Sequence, residues 1–339
     1  MSNSTSFSVD MMNIHDIQTP ALLADADALE HNLKTMAAAV PGPRLRPHVK
    51  AHKCTALAKM QARAGHKSFT CATIREIEGM AAAGLGDDLL LANEVLDARR
   101  LAAVKARVTV AVDSAPTILA AAQAGIREVL IDVNVGLPRC GCAPGDAGRL
   151  ADLARGKGLK VRGVMGYEGH VVGLDDRTTR EKLTADAMEL LLQSHRAAGG
   201  DIISAGGTGT YDINVWANEI QAGSYVLMDT AYAKLGLPFR QGLTVLATVI
   251  SVSSSYAVGD CGLKALGMDH GNPSIDGGHQ VLFVSDEHVT FVPSSPVKPG
   301  DRIRVMPAHI DPTIAYHERM HLVRGEQILE TWPIDLRGW

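Results

Sequence analysis

Lys50 is the residue whose setting most invites chemistry. It lies in the stretch 44–54, Arg-Leu-Arg-Pro-His-Val-Lys-Ala-His-Lys-Cys, where Leu45, Pro47 and Val49 alternate with polar residues before a helical pattern begins near Cys54 and Thr55. A lysine at the C-terminal end of a strand packs its stem while its amine faces a cleft, which suits Schiff-base chemistry. His48 and His52 flank it, either as a general base or as a neighbour that lowers the lysine pKa by charge. Lys53 is the competing amine, and a solvated basic loop is the plain alternative.

His309 and Asp311 form a second constellation. They stand two apart after a strand read at 302–306, in a segment bracketed by Pro307 and Pro312. If that segment is extended, both side chains share one face and offer a nitrogen and a carboxylate oxygen to a divalent cation. A hydrogen-bonded loop pair is the competing reading for a bare His-x-Asp.

Anion chemistry has its own signature. Ser204-Ala-Gly-Gly-Thr-Gly-Thr210 follows a strand, so the backbone N–H groups around Gly207 and Gly209, with the Thr208 and Thr210 hydroxyls, can form a nest for a phosphate. Gly223, Ser224 and Tyr225 precede the next apolar run and can close over the same group. Arg139, Tyr167 and His170 stand just beyond two other strand patterns. Taken singly, a surface salt bridge, a core aromatic and a glycine-rich connection are equally available.

The elements that must carry these residues alternate. Short apolar runs at 21–24, 44–49, 68–72, 88–92, 108–112, 128–133, 161–167, 201–205 and 225–228 are separated by Ala/Leu/Glu/Lys-rich helical patterns at 28–39, 55–64, 74–83, 96–102, 115–124, 145–156 and 178–198, with Asp27 and Ser114 as expected N-terminal caps. So many βα units, with no Gly-x-Gly-x-x-Gly after the first strand, predict a closed (β/α)8 TIM barrel over residues 14–238, with catalytic groups at the C-terminal strand ends. From 239 to 339 the texture changes to short strands between Gly, Pro, Asp and Ser turns, which predicts an antiparallel β domain carrying His309 and Asp311; the N-terminal segment is expected to pack on it as well.

Composition narrows the function classes. Of 339 residues, 46% are hydrophobic and 21% charged, with net charge −4 and pI near 6.3, so the chain can bury a large core but offers no basic stripe to nucleic acid. Residues 1–13 are polar and Ser-rich, without the cationic and apolar regions of a leader, and no apolar run approaches a membrane span; a cytoplasmic protein is expected. Five cysteines, odd in number and irregularly spaced, argue against a disulfide framework. Cys140 and Cys142 make a C-x-C suited to a soft metal, but no second pair accompanies it.

In order, Thr19-Pro-Ala-Leu-Leu, Arg46-Pro-His-Val-Lys-Ala-His-Lys, Gly136-Leu-Pro-Arg-Cys-Gly, Tyr167-Glu-Gly-His, Ser204-Ala-Gly-Gly-Thr-Gly-Thr, Gln221-Ala-Gly-Ser-Tyr and Pro307-Ala-His-Ile-Asp-Pro-Thr resemble the D-threonine aldolase and D-serine dehydratase group of alanine-racemase-like, fold-type III pyridoxal phosphate (PLP) enzymes. The resemblance implies that Lys50 carries PLP, that Arg139 sits near the cofactor's phenolic oxygen or the substrate carboxylate, and that Tyr167 lies against the ring or its nitrogen. It also implies a metal on His309 and Asp311. Dehydratase members present His-x-Cys there, whereas the aldolases present His-x-Asp, a harder pair suited to Mn2+ or Mg2+ more than Zn2+. Asp311 therefore points to cleavage of 3-hydroxy-D-amino acids, D-threonine or 3-hydroxy-D-aspartate among them, to glycine and an aldehyde. Dehydration to a keto acid and ammonia, racemisation, and a non-catalytic PLP carrier are the alternatives. A head-to-tail homodimer is also implied, with Cys261 near its junction.

Overall fold

The computed structural model describes residues 12–339, so all but the last two residues of the Ser-rich segment lie outside the described residues. The chain enters through β1 (Ala21–Asp25) and α1 (Ala26–Ala39), and continues through α2 (Thr55–Arg63), β2 (Ser68–Cys71), α3 (Ile74–Ala82), β3 (Asp88–Leu91), β4 (Val108–Val112), α4 (Ala115–Gln123), β5 (Glu128–Asp132), α5 (Ala147–Gly156), β6 (Lys160–Met165), α6 (Arg177–Ala198), β7 (Ile202–Ala205), β8 (Glu219–Ile220) and α7 (Thr230–Ala233). Strands β2 to β8 form one parallel sheet in sequence order.

The sheet curls and is closed by the stretch 45–48, which bridges Leu45 to Ile220 on one side and His48 to Thr70 on the other. The amides of Arg46 and His48 donate to the carbonyls of Ile220 and Ala222, and that of Thr70 donates to Pro47. This short stave completes an eight-stave barrel, the α/β fold expected.

Period-two alternation sorts each strand. Leu90, Ala111, Leu130 and Met165 form a cluster of their own among the staves. Leu89, Leu91, Val110, Val112, Val129 and Ile131 instead join the large core that includes the helices. Two residues before Leu90, Asp88 accepts from Arg162 at 2.8 Å through both oxygens, while fully buried Arg46 grips Glu219 at 2.6 and 3.0 Å. A charged plug thus seals the barrel at the end away from the site.

The second body contains β9 (Leu243–Val252), β10 (Ala257–Gly259), β11 (Ser274–Ile275), β12 (Gln280–Val284), β13 (Val289–Val292), β14 (Arg302–Met306), α8 (Ile310–Tyr316), β15 (Arg319–Arg324) and β16 (Gln327–Pro333). Its main path runs β12-β13-β10-β9-β1-β15-β16, with β14 branching from β9 and β11 pairing with β14.

Several local expectations are corrected. Residues 21–24 are no barrel strand: β1 pairs antiparallel with β9 and parallel with β15, so the second sheet is mixed. The pattern misleads because β1 is buried on both faces, Leu22 and Ala24 in the main core and Ala21 and Leu23 in a small outer cluster with Leu246, Val323 and Ile328. Residues 225–228 form a 3-10 turn, Ser224–Val226, and 96–102 holds only the short 3-10 turn Arg99–Ala103. Asp25, not Asp27, caps α1 by accepting from the Ala28 amide, whereas Ser114 closes a capping box with Thr117 as expected. All five cysteines are free; Cys261 is fully buried. Among the described residues, no helix is long and apolar enough to cross a membrane.

Candidate active site

A cleft of about 520 Å³ opens at the C-terminal ends of the barrel strands. His48 and Lys50 line it from the closing stave, Tyr167 from beyond β6, Gly206 to Thr208 from beyond β7, and Gly223 and Ser224 from beyond β8. His270, His309 and Asp311 reach the same space from the second body. Barrel strand ends and α8 therefore converge on one volume.

Lys50 sits in a 3-10 turn, Val49–Ala51, where the stave stops pairing. Its Nζ lies 5.7 Å from the centre of the Tyr167 ring, and the Arg139 guanidinium lies 5.6 Å from the same ring. Neither cation has a salt bridge among the described residues. Lys53, by contrast, is tied to the buried carboxylate of Glu76. The free amine in the cleft is that of Lys50.

The histidines beside it divide. His48 lines the cleft, and burial together with Lys50 and Lys53 pushes its pKa well below the ordinary value, so the ring is neutral at pH 7. His52 faces away: its Nε2 pairs with Gln61 Oε1 at 3.2 Å, its Nδ1 accepts from the Cys54 amide, and burial lowers its pKa to about 4. His52 touches no part of the cleft, because the 3-10 turn rotates residues 48 and 52 apart where a continued strand would have set them on one face. His170 is exposed, its ring packed at Gly136 outside the cleft.

The two glycine turns meet as expected, with a different division of labour. Gly206, Gly207 and Thr208 line the cleft, and Thr208 Oγ1 accepts from the Tyr225 amide at 2.9 Å, which couples the turns. Thr210 does not reach the cleft; its hydroxyl donates to Glu168 at 2.9 Å and accepts from the Gly207 amide. Gly209 is there for space, since a Cβ would lie 1.8 Å from the Val172 carbonyl oxygen. Tyr225 is buried with its hydroxyl accepting from Gln61, and burial raises its pKa.

Glu168 is a residue that motif reasoning passed over. Its fully buried carboxylate accepts from the Gly206 amide, Thr210 and Asn214, so it holds the turn in shape from behind. Asp229 does similar work between bodies, accepting from the amides of Tyr232 and Ile310 at the first turns of α7 and α8, with burial raising its pKa. Neither lies in a short motif with the residues it serves.

His309 and Asp311 are not in an extended segment. His309 is the N-cap of α8 and Asp311 stands in its first turn, yet the helical geometry still brings His309 Nε2 within 3.7 Å of Asp311 Oδ2. The His309 ring stacks on His270 at 3.8 Å and its Nδ1 meets Asp269 at 2.8 Å. Asp269 and His270 escape sequence reading because some forty positions separate them from His309.

The donor sets fit two groups. An unpaired amine and an unpaired guanidinium near one aromatic ring, with coupled glycine turns, suit a phosphorylated aldehyde cofactor. An imidazole nitrogen facing a carboxylate oxygen suits a hard to borderline divalent cation.

The alanine racemase N-terminal domain family matches residues 24–231, and a serine dehydratase domain matches residues 242–323. The chain is 33% identical to a D-threonine aldolase of an Arthrobacter species, over 95% of this chain and 93% of that protein. It is 32% identical to a 3-hydroxy-D-aspartate aldolase of Paracoccus denitrificans, over 96% and 94%. The crystal structure of D-threonine aldolase from Filomicrobium marinum superposes with a TM-score of 0.90 at 34% identity, covering 97% of this chain and 98% of that one. Since the match runs through barrel and β domain alike, the chain belongs to the alanine-racemase-like family, in the group that holds these aldolases.

Proposed function

We propose that this protein is a carbon–carbon lyase that cleaves 3-hydroxy-D-amino acids, such as D-threonine or 3-hydroxy-D-aspartate, to glycine and an aldehyde with PLP and a divalent metal, Mn2+ or Mg2+ in preference to Zn2+. The observation that carries it is the convergence of Lys50 and the His309–Asp311 pair on one cleft. Relatives over the full chain that are named for this chemistry support the same reading.

Lys50 would hold PLP through its amine, and the turns at Gly206–Thr208 and Gly223–Ser224 would take the phosphate. PLP, when bound, supplies a conjugated ring that accepts the electron pair released at Cα. His309 and Asp311 would hold the cation, which makes the β-hydroxyl more acidic. Arg139 offers the cleft its unpaired guanidinium, suited to a carboxylate or to the cofactor's phenolic oxygen. Tyr167 keeps its phenol protonated, because burial raises its pKa, and offers its ring to both cations. His48, neutral and beside Lys50, can accept a proton within the cleft. His52 does not reach the cleft, so the choice of base falls on His48 over it.

The test is a product assay with D-threonine, PLP and Mn2+. Glycine and acetaldehyde are expected, with loss of turnover on chelation and recovery on readdition of Mn2+. Formation of 2-oxobutanoate and ammonia would instead mark a dehydratase; L-allo-threonine, the product of inversion at Cα alone, formed indifferently to chelator would mark a racemase. A homodimer belongs to the same proposal and is expected in sedimentation at micromolar concentration.

A further inference from the structure

We propose that Asp269 is a positioning residue for the metal: its carboxylate accepts a hydrogen bond from His309 Nδ1–H, fixes that tautomer, and leaves Nε2 as the free lone pair on the side of Asp311. This rests on the reading that His309 and Asp311 hold the cation.

His309 has two edges and each has a distinct partner. Nδ1 lies 2.9 and 2.8 Å from the two oxygens of Asp269, a hydrogen bond shared across the carboxylate. Nε2 lies 3.7 Å from Asp311 Oδ2, too long for a hydrogen bond but a span that two metal–ligand bonds of about 2.1 Å cover. His309 and Asp311 each expose a fifth of their side chain and both line the cleft, whereas Asp269 lies outside the lining. Asp269 therefore addresses the ring from behind.

The loop that carries Asp269 is built to hold it there. Gly267 bridges to His309, its amide donates to Thr313 Oγ1 at 2.9 Å, and Thr313 donates in turn to the His309 carbonyl at 2.7 Å. A Cβ at Gly267 would lie 2.3 Å from Pro312 Cγ, so the loop and the first turn of α8 approach closely enough to require glycine. His270, three residues beyond the clamped Gly267, covers one face of the ring in parallel stacking, 3.8 Å away and tilted 12°. Imidazole rotation is thereby restricted at one edge and one face. A carboxylate on the far nitrogen also makes the near one a stronger donor to metal.

Asp269, His270 and His309 also present donor atoms within 4.8 Å of one another, which makes a rival site on the Nδ1 side in which Asp269 and His270 would themselves be ligands. The two arrangements predict different variants. The measurement is Mn2+ binding to the PLP-loaded enzyme, followed by the electron paramagnetic resonance of free Mn2+, with melting temperature recorded in parallel. Asp269→Ala is expected to weaken Mn2+ binding about 10–100-fold. Asp269→Asn, whose amide oxygen still accepts from Nδ1, should lose less and hold the same fold. In Asp269→Ala the Mn2+ concentration for half-activation should rise in step with the binding constant while saturating Mn2+ restores kcat, a pattern that a general structural defect does not give. His270→Ala should bind Mn2+ nearly as wild type. Wild-type affinity in Asp269→Ala, with His309→Ala severely impaired, overturns the proposal alone. His270→Ala as damaging as His309→Ala overturns it in favour of the rival site. Undiminished binding in both His309→Ala and Asp311→Asn overturns the underlying metal reading along with it.

Discussion

Two lysines three positions apart illustrate how burial assigns chemistry at the level of a single residue. The Lys50 amine faces the cleft without an ion pair, and the Lys53 amine is spent on Glu76, whose carboxylate is fully buried. Lys50→Ala should abolish the visible absorbance of the bound cofactor with little change in denaturation midpoint. Lys53→Met should do the reverse, costing about 3–5 kcal/mol in chemical denaturation, because Glu76 is left as an uncompensated buried charge. His52 yields a pH prediction. Desolvation holds its folded pKa near 4, while the unfolded chain binds that proton near pH 6.5. Between those values the unfolded state carries more protons, so stability falls as pH drops from 6.5 to 4, by about 3 kcal/mol from this group. His52→Gln, which can keep the bond to Gln61, should flatten the decline in melting temperature over that window; an unchanged slope would sink the assignment. Lys50, Arg139 and the His309–Asp311 pair were legible in the sequence because each depends on a residue type at a local spacing. Glu168, Asp229 and Asp269 were not, because each acts on groups far along the chain and carries no pattern of its own.

At the scale of elements, the spacing of the motifs survived errors in the secondary structure beneath them. His309 and Asp311 were expected to share a face in a strand, and they instead meet across the start of α8, where a cap residue in extended conformation precedes the first turn. Pro312 in that turn is compatible with a helix start as much as with a stiff extended segment, which is why the pattern was ambiguous. Strands β2 to β7 match the expected runs because those runs are dense and their turns clear. By contrast, β8 is only two residues long and lies ahead of the run expected at 225–228, and 45–48 pairs through so few residues that the stave is scarcely a strand at all. The coupled glycine turns give the prediction for this scale. Gly209→Ala forces a methyl group onto the Val172 carbonyl. A displacement of the turn costing about 1–3 kcal/mol is expected. It should appear as roughly tenfold or greater loss of PLP affinity by equilibrium dialysis, with secondary structure intact by circular dichroism. Gly145→Ala, in open space, should leave PLP affinity unchanged.

For the whole molecule, the instructive departure is β1. A run of apolar residues before a helix reads naturally as the opening of a barrel, but this one lies between β9 and β15 in the middle of the second sheet. Nothing local distinguishes the two fates, because both bury the strand on both faces; the difference lies in partners more than two hundred residues away. A fragment of residues 239–339 therefore lacks a central strand of its own sheet. Expressed alone it should be insoluble or unfolded, and co-expression with residues 12–238 should recover soluble, PLP-binding protein; a folded isolated fragment would count against this reading of the sheet.

The same topology imposes a schedule on the ribosome. The nascent chain releases β1 early, and its antiparallel neighbour at Leu243 emerges roughly 10–40 s later at typical synthesis rates of about 5–20 residues per second. During that interval Leu22 and Leu23 form an unpaired apolar edge, open to chaperones or to neighbouring chains. The staves that surround Lys50 are complete before His309 has been translated, so the newborn polypeptide acquires its lysine cradle first and its cation-holding half last.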